Sequence, residues 1–196
     1  ICPASLVYNW AEEIRRFAPN LSVVPVSGTI ASRKKVLGDL LFKRDGLCKD
    51  VYVTSYDLVR QDIDYYKDIR FDLCVIDEAQ YIKNTKAAMT KAVKIINADH
   101  RLALTGTPIE NRLSELWSIF DFLMPGFLYD YKTFFDRFES PISKKKDTKA
   151  TQRLRKMVSP FILRRLKTDV LKDLPPKTEE VRYVQFEKKQ RELYDA

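Results

Sequence analysis

Four short runs rich in branched apolar residues, LSVVPV (21–26), DVYVT (50–54), FDLCVI (71–76) and RLALT (101–105), are separated by stretches whose apolar residues recur at helical spacing. Such alternation builds βαβ units, because parallel neighbouring strands need a crossover long enough to hold a helix. The chain is therefore predicted to adopt an α/β fold around a mostly parallel sheet. Leu6, Trp10, Ile14 and Phe17 share one face of residues 5–18, with Glu12, Glu13, Arg15 and Arg16 elsewhere, so an amphipathic helix ending before Pro19 is expected there. Asn9 and Trp10 read as packing residues of this helix. Residues 31–43 and 86–97 have the same character.

Beyond residue 112 the strand pattern stops. LSELWSIFDFLM, YKTFFDRF and TQRLRKMV read as helices broken at Pro125-Gly126 and at Pro141, with Lys144-Lys145-Lys146-Asp147 as the most loop-like point. Their aromatics, among them Trp117, Phe120, Phe134 and Phe138, fall near helical spacing and are expected to form a small core rather than a base-stacking platform. Pro175-Pro176 then precedes EEVRYVQF, a strand-like segment expected to open a following domain. In 196 residues there is room for one α/β domain with a small appendage.

Charge is distributed unevenly. Residues 132–167 hold twelve Lys and Arg against three acids, so the formal net charge of +8 is concentrated there and the rest is close to neutral. A basic stretch of this density suits a polyanion, with a solvated lysine-rich surface as the plainer alternative. No apolar run approaches the ~20 residues of a membrane span, and the first residues lack the pattern of a secretory signal, so a soluble, non-secreted protein is expected. Cys2, Cys48 and Cys74 lack metal-ligand spacing and are read as reduced core residues. His100, in a polar turn, is given no catalytic role.

VIDEAQ (75–80) carries the sharpest chemical signal, since an apolar strand runs directly into two carboxylates. Ligands of open parallel sheets bind at the carboxyl ends of strands, where Asp77 and Glu78 would sit. The pair suits phosphoryl transfer, with Asp77 holding a magnesium ion through water and Glu78 orienting or deprotonating the attacking water. An Asp-Glu pair that merely caps the next helix is the alternative. The run LALT ends in Thr105-Gly106-Thr107-Pro108, a turn whose hydroxyls and amides would meet the same sheet edge.

Taken in order, ICPASLVYNW resembles motif Ia of superfamily-two translocases, TSYDLVR (54–60) motif Ib, VIDEAQYIKN (75–84) the Walker B motif, and LTGTPIENRLSELWSIFDFLMPG motif III with its extension. FILRRLKTDVLKDLPPKTE (161–179) is similar to the segment leaving the first motor lobe of the Swi/Snf family. The order and spacing of these motifs resemble that family over nearly the whole chain. The resemblance implies a RecA-like parallel sheet flanked by helices, an incomplete P-loop NTPase fold, with an α-helical protrusion. Residues 1–112 would be motor lobe 1, 113–167 a basic helical protrusion, and 168–196 the interlobe linker and start of lobe 2.

The resemblance also implies roles. Asp77 would serve magnesium and Glu78 water activation, while Gln80, Thr105, Gly106 and Thr107 would couple nucleotide state to nucleic-acid contact. Ser5, Leu6, Thr54, Ser55, Tyr56 and Lys83 would offer hydroxyls, amides or charge to the phosphates of double-stranded DNA, although helix capping also accounts for Ser5. Arg164 and Arg165 would lock the lobes together through bidentate contacts. ATP with Mg2+ is the implied cofactor pair, and a protein displaced from DNA the implied target. The phosphate loop G-x-x-x-x-G-K-[ST] does not occur in the sequence, so these residues alone are expected to be inactive. An RNA helicase or a non-catalytic nucleic-acid-binding scaffold is the competing reading. The DEAQ motif and compact insertion lean toward a bacterial, cytoplasmic, nucleoid-associated protein, with a nuclear one expected if the host is eukaryotic.

Overall fold

The computed structural model describes residues 1–42, 48–106 and 113–165, together with residues 180, 182, 190, 191 and 194. Apart from residue 182, the strand-like segment 181–186 lies outside the described residues, as do Thr107 and most of the linker 168–196. Two units are distinguished, Ile1–Leu154 and Arg155–Ala196. In the first, each branched apolar run supplies a strand: β1 (Val23–Pro25), β2 (Val51–Val53), β3 (Arg70–Ile76) and β4 (Asn97–Ala103). β1 pairs with β2, and β3 with β4, both in parallel, with Val23 opposite Val51 and Ile76 opposite Ala103. β4 begins four residues before the apolar run RLALT, because its first half, Asn97–His100, is polar and half open to solvent.

Ile1 and Cys2 join the two strand pairs. The Cys2 amide donates to the Thr54 carbonyl just past β2 at 3.0 Å, the Ile1 amino group donates to the Val75 carbonyl of β3 at 2.7 Å, and the Ile1 carbonyl accepts from the Asp77 amide at 2.8 Å. The carboxyl ends of β2 and β3 are thereby fixed side by side.

Helices run between the strands as the spacing requires. α1 (Val7–Phe17) follows a single 3-10 turn at Ala4–Leu6 and buries Val7 and Ala11. Phe17, expected on the inner face, is 73% exposed because it closes the last turn, where the helix has already left the sheet. α2 (Ile30–Leu41) starts where the Thr29 hydroxyl accepts from the Ser32 amide, and α3 (Tyr56–Gln61) starts where the Ser55 hydroxyl accepts from the Leu58 amide. α4 (Ile63–Tyr66) and α5 (Ala88–Ile95) complete this part. The main core gathers Val26, Leu37, Val59, Ile76, Ile82 and Val93. The opposite face of β3–β4 is barely covered, leaving Leu73 and Leu102 54% and 48% exposed.

α6 (Leu113–Leu123) enters that core through Ile119 and Phe122, and the Ser118 hydroxyl donates to the Ile82 carbonyl at 2.6 Å. After a turn at Gly126, which needs φ +84°, α7 (Tyr131–Phe134) begins at Asp130, whose carboxylate accepts from the Thr133 amide. Pro141 does not interrupt the helical path. A π-helical turn at Phe135–Glu139 runs directly into α8 (Ser140–Lys145), so the proline sits in the opening turn of that helix, where its missing N–H costs least. The break falls instead at Lys146, left-handed at φ 50°, before α9 (Thr148–Val158). Phe134 and Phe138 are buried 5.6 Å apart, and Trp117 meets Tyr131 edge-on at 5.3 Å, so most of these aromatics do form a core. In contrast to the expectation for all three cysteines, only Cys2 and Cys74 are buried, with thiol pKa values raised by desolvation, and Cys48 is exposed. No described helix is long and apolar enough to cross a membrane.

A buried ion pair ties α2 to α3. Arg33 donates through Nε to Asp62 Oδ2 at 2.6 Å and through Nη2 to Oδ1, both side chains 4% exposed, and its Nη1 reaches the Gly28 carbonyl. Removing one member leaves the other charged and stranded, so Asp62→Ala is expected to cost about 3–5 kcal/mol in urea unfolding. Asp64→Ala, which breaks the exposed Asp64–Lys67 pair, is expected to cost under ~0.5 kcal/mol in the same measurement.

Candidate active site

β3 delivers Asp77 and Glu78 one and two residues past its last paired position, Ile76. Asp77 is fixed at four points. Its amide donates to Ile1, and its carbonyl accepts from the Tyr56 hydroxyl at 2.6 Å. Carboxylate Oδ1 accepts from the Glu78 amide at 2.9 Å, and Oδ2 accepts from the Trp10 indole Nε1 at 2.8 Å. Burial and the neighbouring Asp77 charge push the Tyr56 phenol pKa far above its usual value, so it stays a hydrogen-bond donor throughout the physiological range.

Glu78 stands in the left-handed region at φ 52°, ψ 55°, a conformation that is costly for a non-glycine residue. The neighbouring backbone holds it there. The Leu104 amide donates to the Ile76 carbonyl, and the Leu104 carbonyl accepts from the Ala79 amide, so Leu104, directly after β4, braces the chain on both sides of the bend. From the bend a line of side chains runs outward. Gln80 Nε2 donates to Glu78 Oε2 at 2.7 Å, and Thr105 Oγ1 donates to Gln80 Oε1 at 2.9 Å. Gly106 follows, exposed, in a bend. The two motifs 25 residues apart are thus in direct contact through one amide side chain.

The residues expected to meet phosphate divide into two groups. Ser5 is exposed and Leu6 half-buried in the 3-10 turn ahead of α1, with no side-chain cap at either helix start. Lys83 is exposed just after the 3-10 turn Ala79–Ile82. The hydroxyls of Thr54, Ser55 and Tyr56, by contrast, point inward, and all three residues are 2–3% exposed. Thr54 donates to the Val26 carbonyl, Ser55 caps α3, and Tyr56 is engaged with Asp77. The expectation that these hydroxyls face a ligand fails because the end of β2 is a junction of strand, bridge and helix, where buried polar groups must be satisfied internally. Tyr56 also stacks on Tyr81, ring centres 5.2 Å apart, and Tyr81 is 48% exposed. Arg164 and Arg165, in the second unit, are exposed and lie outside any helix or strand.

Trp10, which helical periodicity assigns to packing alone, also reaches the candidate site through its hydrogen bond to Asp77. Its indole carries a single donor that must find an acceptor once half-buried, but the acceptor lies 67 residues away and only the fold brings it near. A cavity of about 460 Å3 along the facing edges of β2 and β3 reaches Trp10 and Asp77 at its carboxyl end. Among the described residues no three metal-ligating side chains converge. A single carboxylate with lone pairs to spare fits magnesium, which keeps most of its ligands as water and phosphate oxygens.

The SNF2-related domain model matches residues 1–196. The TATA-binding protein-associated factor mot1 of Schizosaccharomyces pombe is 45% identical over 204 residues, covering 98% of this chain and 10% of the relative. A Mycoplasma genitalium protein described as an uncharacterized ATP-dependent helicase is 44% identical over 195 residues, all of this chain and 18% of that protein. Among solved structures, the Sulfolobus solfataricus SWI2/SNF2 ATPase core in complex with dsDNA superposes with a TM-score of 0.75 at 41% identity, over 89% of this chain and 35% of that one. The chain thus spans about a tenth to a third of the proteins it resembles. Relatives of similar identity come from fungi, human, Arabidopsis and mycoplasmas, so the likeness does not single out a bacterial host. With the motif order, the parallel strands and the carboxylate pair at the end of β3, the family match makes this chain a member of the SNF2-related domain family.

Proposed function

We propose that this chain is the carboxylate-bearing part of the first motor lobe of an ATP-driven, double-stranded DNA translocase that displaces or remodels proteins bound to DNA. The observation that carries the reading is the continuous line Glu78–Gln80–Thr105, which begins at a carboxylate suited to hydrolysis and ends at Thr105, next to Gly106. Asp77 would hold magnesium, mainly through water, and the ion when bound would supply charge neutralisation at the transferring phosphate. Glu78 orients the attacking water and accepts its proton. Gln80 is neutral at any working pH, so the link to Thr105 reports nucleotide state by geometry and not by titration.

The descriptions of two relatives support the substrate side of the proposal. One is an ATPase core in complex with dsDNA, and the other is a TATA-binding protein-associated factor. In this chain DNA contact falls to the exposed turn at Ser5 and Leu6, to Lys83, and to the backbone around Thr54, Ser55 and Tyr56, since the hydroxyls of that segment are engaged within the fold. Residues 113–167 form the basic protrusion, ending just past Arg164 and Arg165, and residues 168–196 lead from there toward a second lobe. The protein works where DNA is, in the nucleoid of a bacterium or the nucleus of a eukaryote.

In the full-length parent, Glu78→Gln is expected to lower DNA-stimulated ATP turnover by roughly 10²–10⁴-fold while DNA binding persists. Undiminished turnover would remove Glu78 from the reaction and favour a scaffold. The 196 residues by themselves, having no phosphate loop in their sequence, are expected to give no measurable ATPase rate. The binding of this chain to duplex DNA should be indifferent to sequence and fall steeply with salt. Reversing Lys144, Lys145 and Lys149 to Glu should flatten the plot of log affinity against log salt by about 0.9 for each phosphate that is no longer neutralised.

A further inference from the structure

The two segments ahead of α1 and α3, to which DNA contact is assigned, each send one aromatic donor to the same residue. Trp10 lies on α1, a little over one turn beyond Ser5 and Leu6, and donates to Asp77 Oδ2 at 2.8 Å. Tyr56 opens α3 directly after Thr54 and Ser55, and donates to the Asp77 carbonyl at 2.6 Å. Both rings are rigid and well anchored. Tyr56 is 2% exposed and stacked on Tyr81, and Trp10 packs against the cluster of Cys2, Val7 and Val53. Neither residue donates a hydrogen bond to Glu78, so Trp10 acts on the carboxylate assigned to the metal and Tyr56 on the main chain of the same residue, while Gln80 meets Glu78.

We infer that Trp10 and Tyr56 are positioning residues that form a two-armed clamp on Asp77, through which displacement of α1 or α3 on binding DNA turns the magnesium-holding carboxylate. The physical basis is short and stiff. A helix moves as a rigid body, an indole ring has two torsions, and a hydrogen bond to a carboxylate is strongly directional. A shift of α1 therefore cannot leave Oδ2 where it was without breaking the Trp10 bond. Tyr56 holds the main chain of Asp77 from the other side, so the side chain rotates about a fixed backbone. The inference rests on the reading of Asp77 as the magnesium residue of a DNA-stimulated motor.

The test uses the full-length parent and two variants, Trp10→Phe and Tyr56→Phe, each removing one donor and retaining a ring. The first readout is the Mg2+ concentration needed for half-maximal binding of a fluorescent ATP analogue, with and without a duplex. The second is the ratio of DNA-stimulated to unstimulated turnover. In wild type, duplex DNA should lower the Mg2+ midpoint. In Trp10→Phe the midpoint should rise by about tenfold, the worth of one hydrogen bond to a charged group, and should no longer respond to DNA. In Tyr56→Phe the response to DNA should shrink with a smaller change in midpoint. In Trp10→Phe, DNA affinity measured by anisotropy should stay within about twofold, because the indole donor is spent on Asp77 and lies outside the segments assigned to the duplex. A purely packing role for Trp10 and Tyr56 would lower thermal stability but leave the Mg2+ midpoint and its DNA response unmoved, and that result overturns the clamp. If Trp10→Phe does not fold, Tyr56→Phe decides alone. A wild-type parent whose turnover ignores DNA overturns both the motor reading and the clamp, whereas normal stimulation with unaltered variants overturns the clamp only.

Discussion

The hydrogen bonds of Ile1 and Cys2 set the geometry on which the site depends. Each strand pair is only two strands wide, and a two-stranded parallel ladder has little rigidity alone. By bonding to Val75 and Asp77 on one side and Thr54 on the other, these two residues fix the end of β3 against the end of β2. Because α1 comes soon after Cys2 and α3 soon after β2, the same stitch carries Trp10 and Tyr56 to Asp77. A slip of one residue in β3 would turn Asp77 to the opposite face of the sheet and undo all of its contacts at once.

Past that register, the site is built against local preference. Glu78 occupies a left-handed conformation that costs about 1–2 kcal/mol for a residue with a side chain, and nothing in its own sequence favours it. The cost is met by Leu104, directly after β4, which bonds to Ile76 and Ala79 on either side of the bend. The bend presents the Glu78 side chain to Gln80 while its amide turns back to Asp77, so adjacent carboxylates point to different partners. A relaxed extended residue at position 78 would continue the strand and lose that divergence.

The repeating parts of this design were legible in the sequence. Branched apolar runs mark strands because a pleated, buried ladder selects them, and all four are present within a few residues of their expected limits, except for the polar first half of β4. Asp77 and Glu78 stood out because two carboxylates directly follow such a run at the strand end where ligands of parallel sheets bind, and the capping alternative loses ground because no side-chain cap forms at the 3-10 turn that follows. The parts that stayed hidden depend on distance or on backbone adjustment. The Trp10–Asp77 bond spans 67 residues, and periodicity gives Trp10 the same appearance as any inner-face aromatic. Thr54 and Ser55 look like ligand hydroxyls because Ser and Thr serve equally well as caps, and only the neighbouring Val26 carbonyl and Leu58 amide decide between the uses. Pro141 reads as a break until a π-turn shifts the helix so that it falls in an opening turn.

Two aspartates in this chain show how partner choice separates structure from chemistry. Asp62 is buried against a guanidinium that meets both its oxygens, which neutralises it and locks α2 to α3. Asp77, among the described residues, is held only by neutral donors: an indole, a phenol and a peptide amide. An arginine in the place of Trp10 would bind the carboxylate more tightly but would compete with any cation for its charge. An indole orients the oxygen without offsetting that charge, as the proposed magnesium role of Asp77 requires. Glu78 follows the same rule through Gln80, and the chain's excess of lysine and arginine is gathered instead in residues 132–167. Under the proposed function, that separation of charge would let the basic residues serve a polyanion without competing for the carboxylates assigned to the cation.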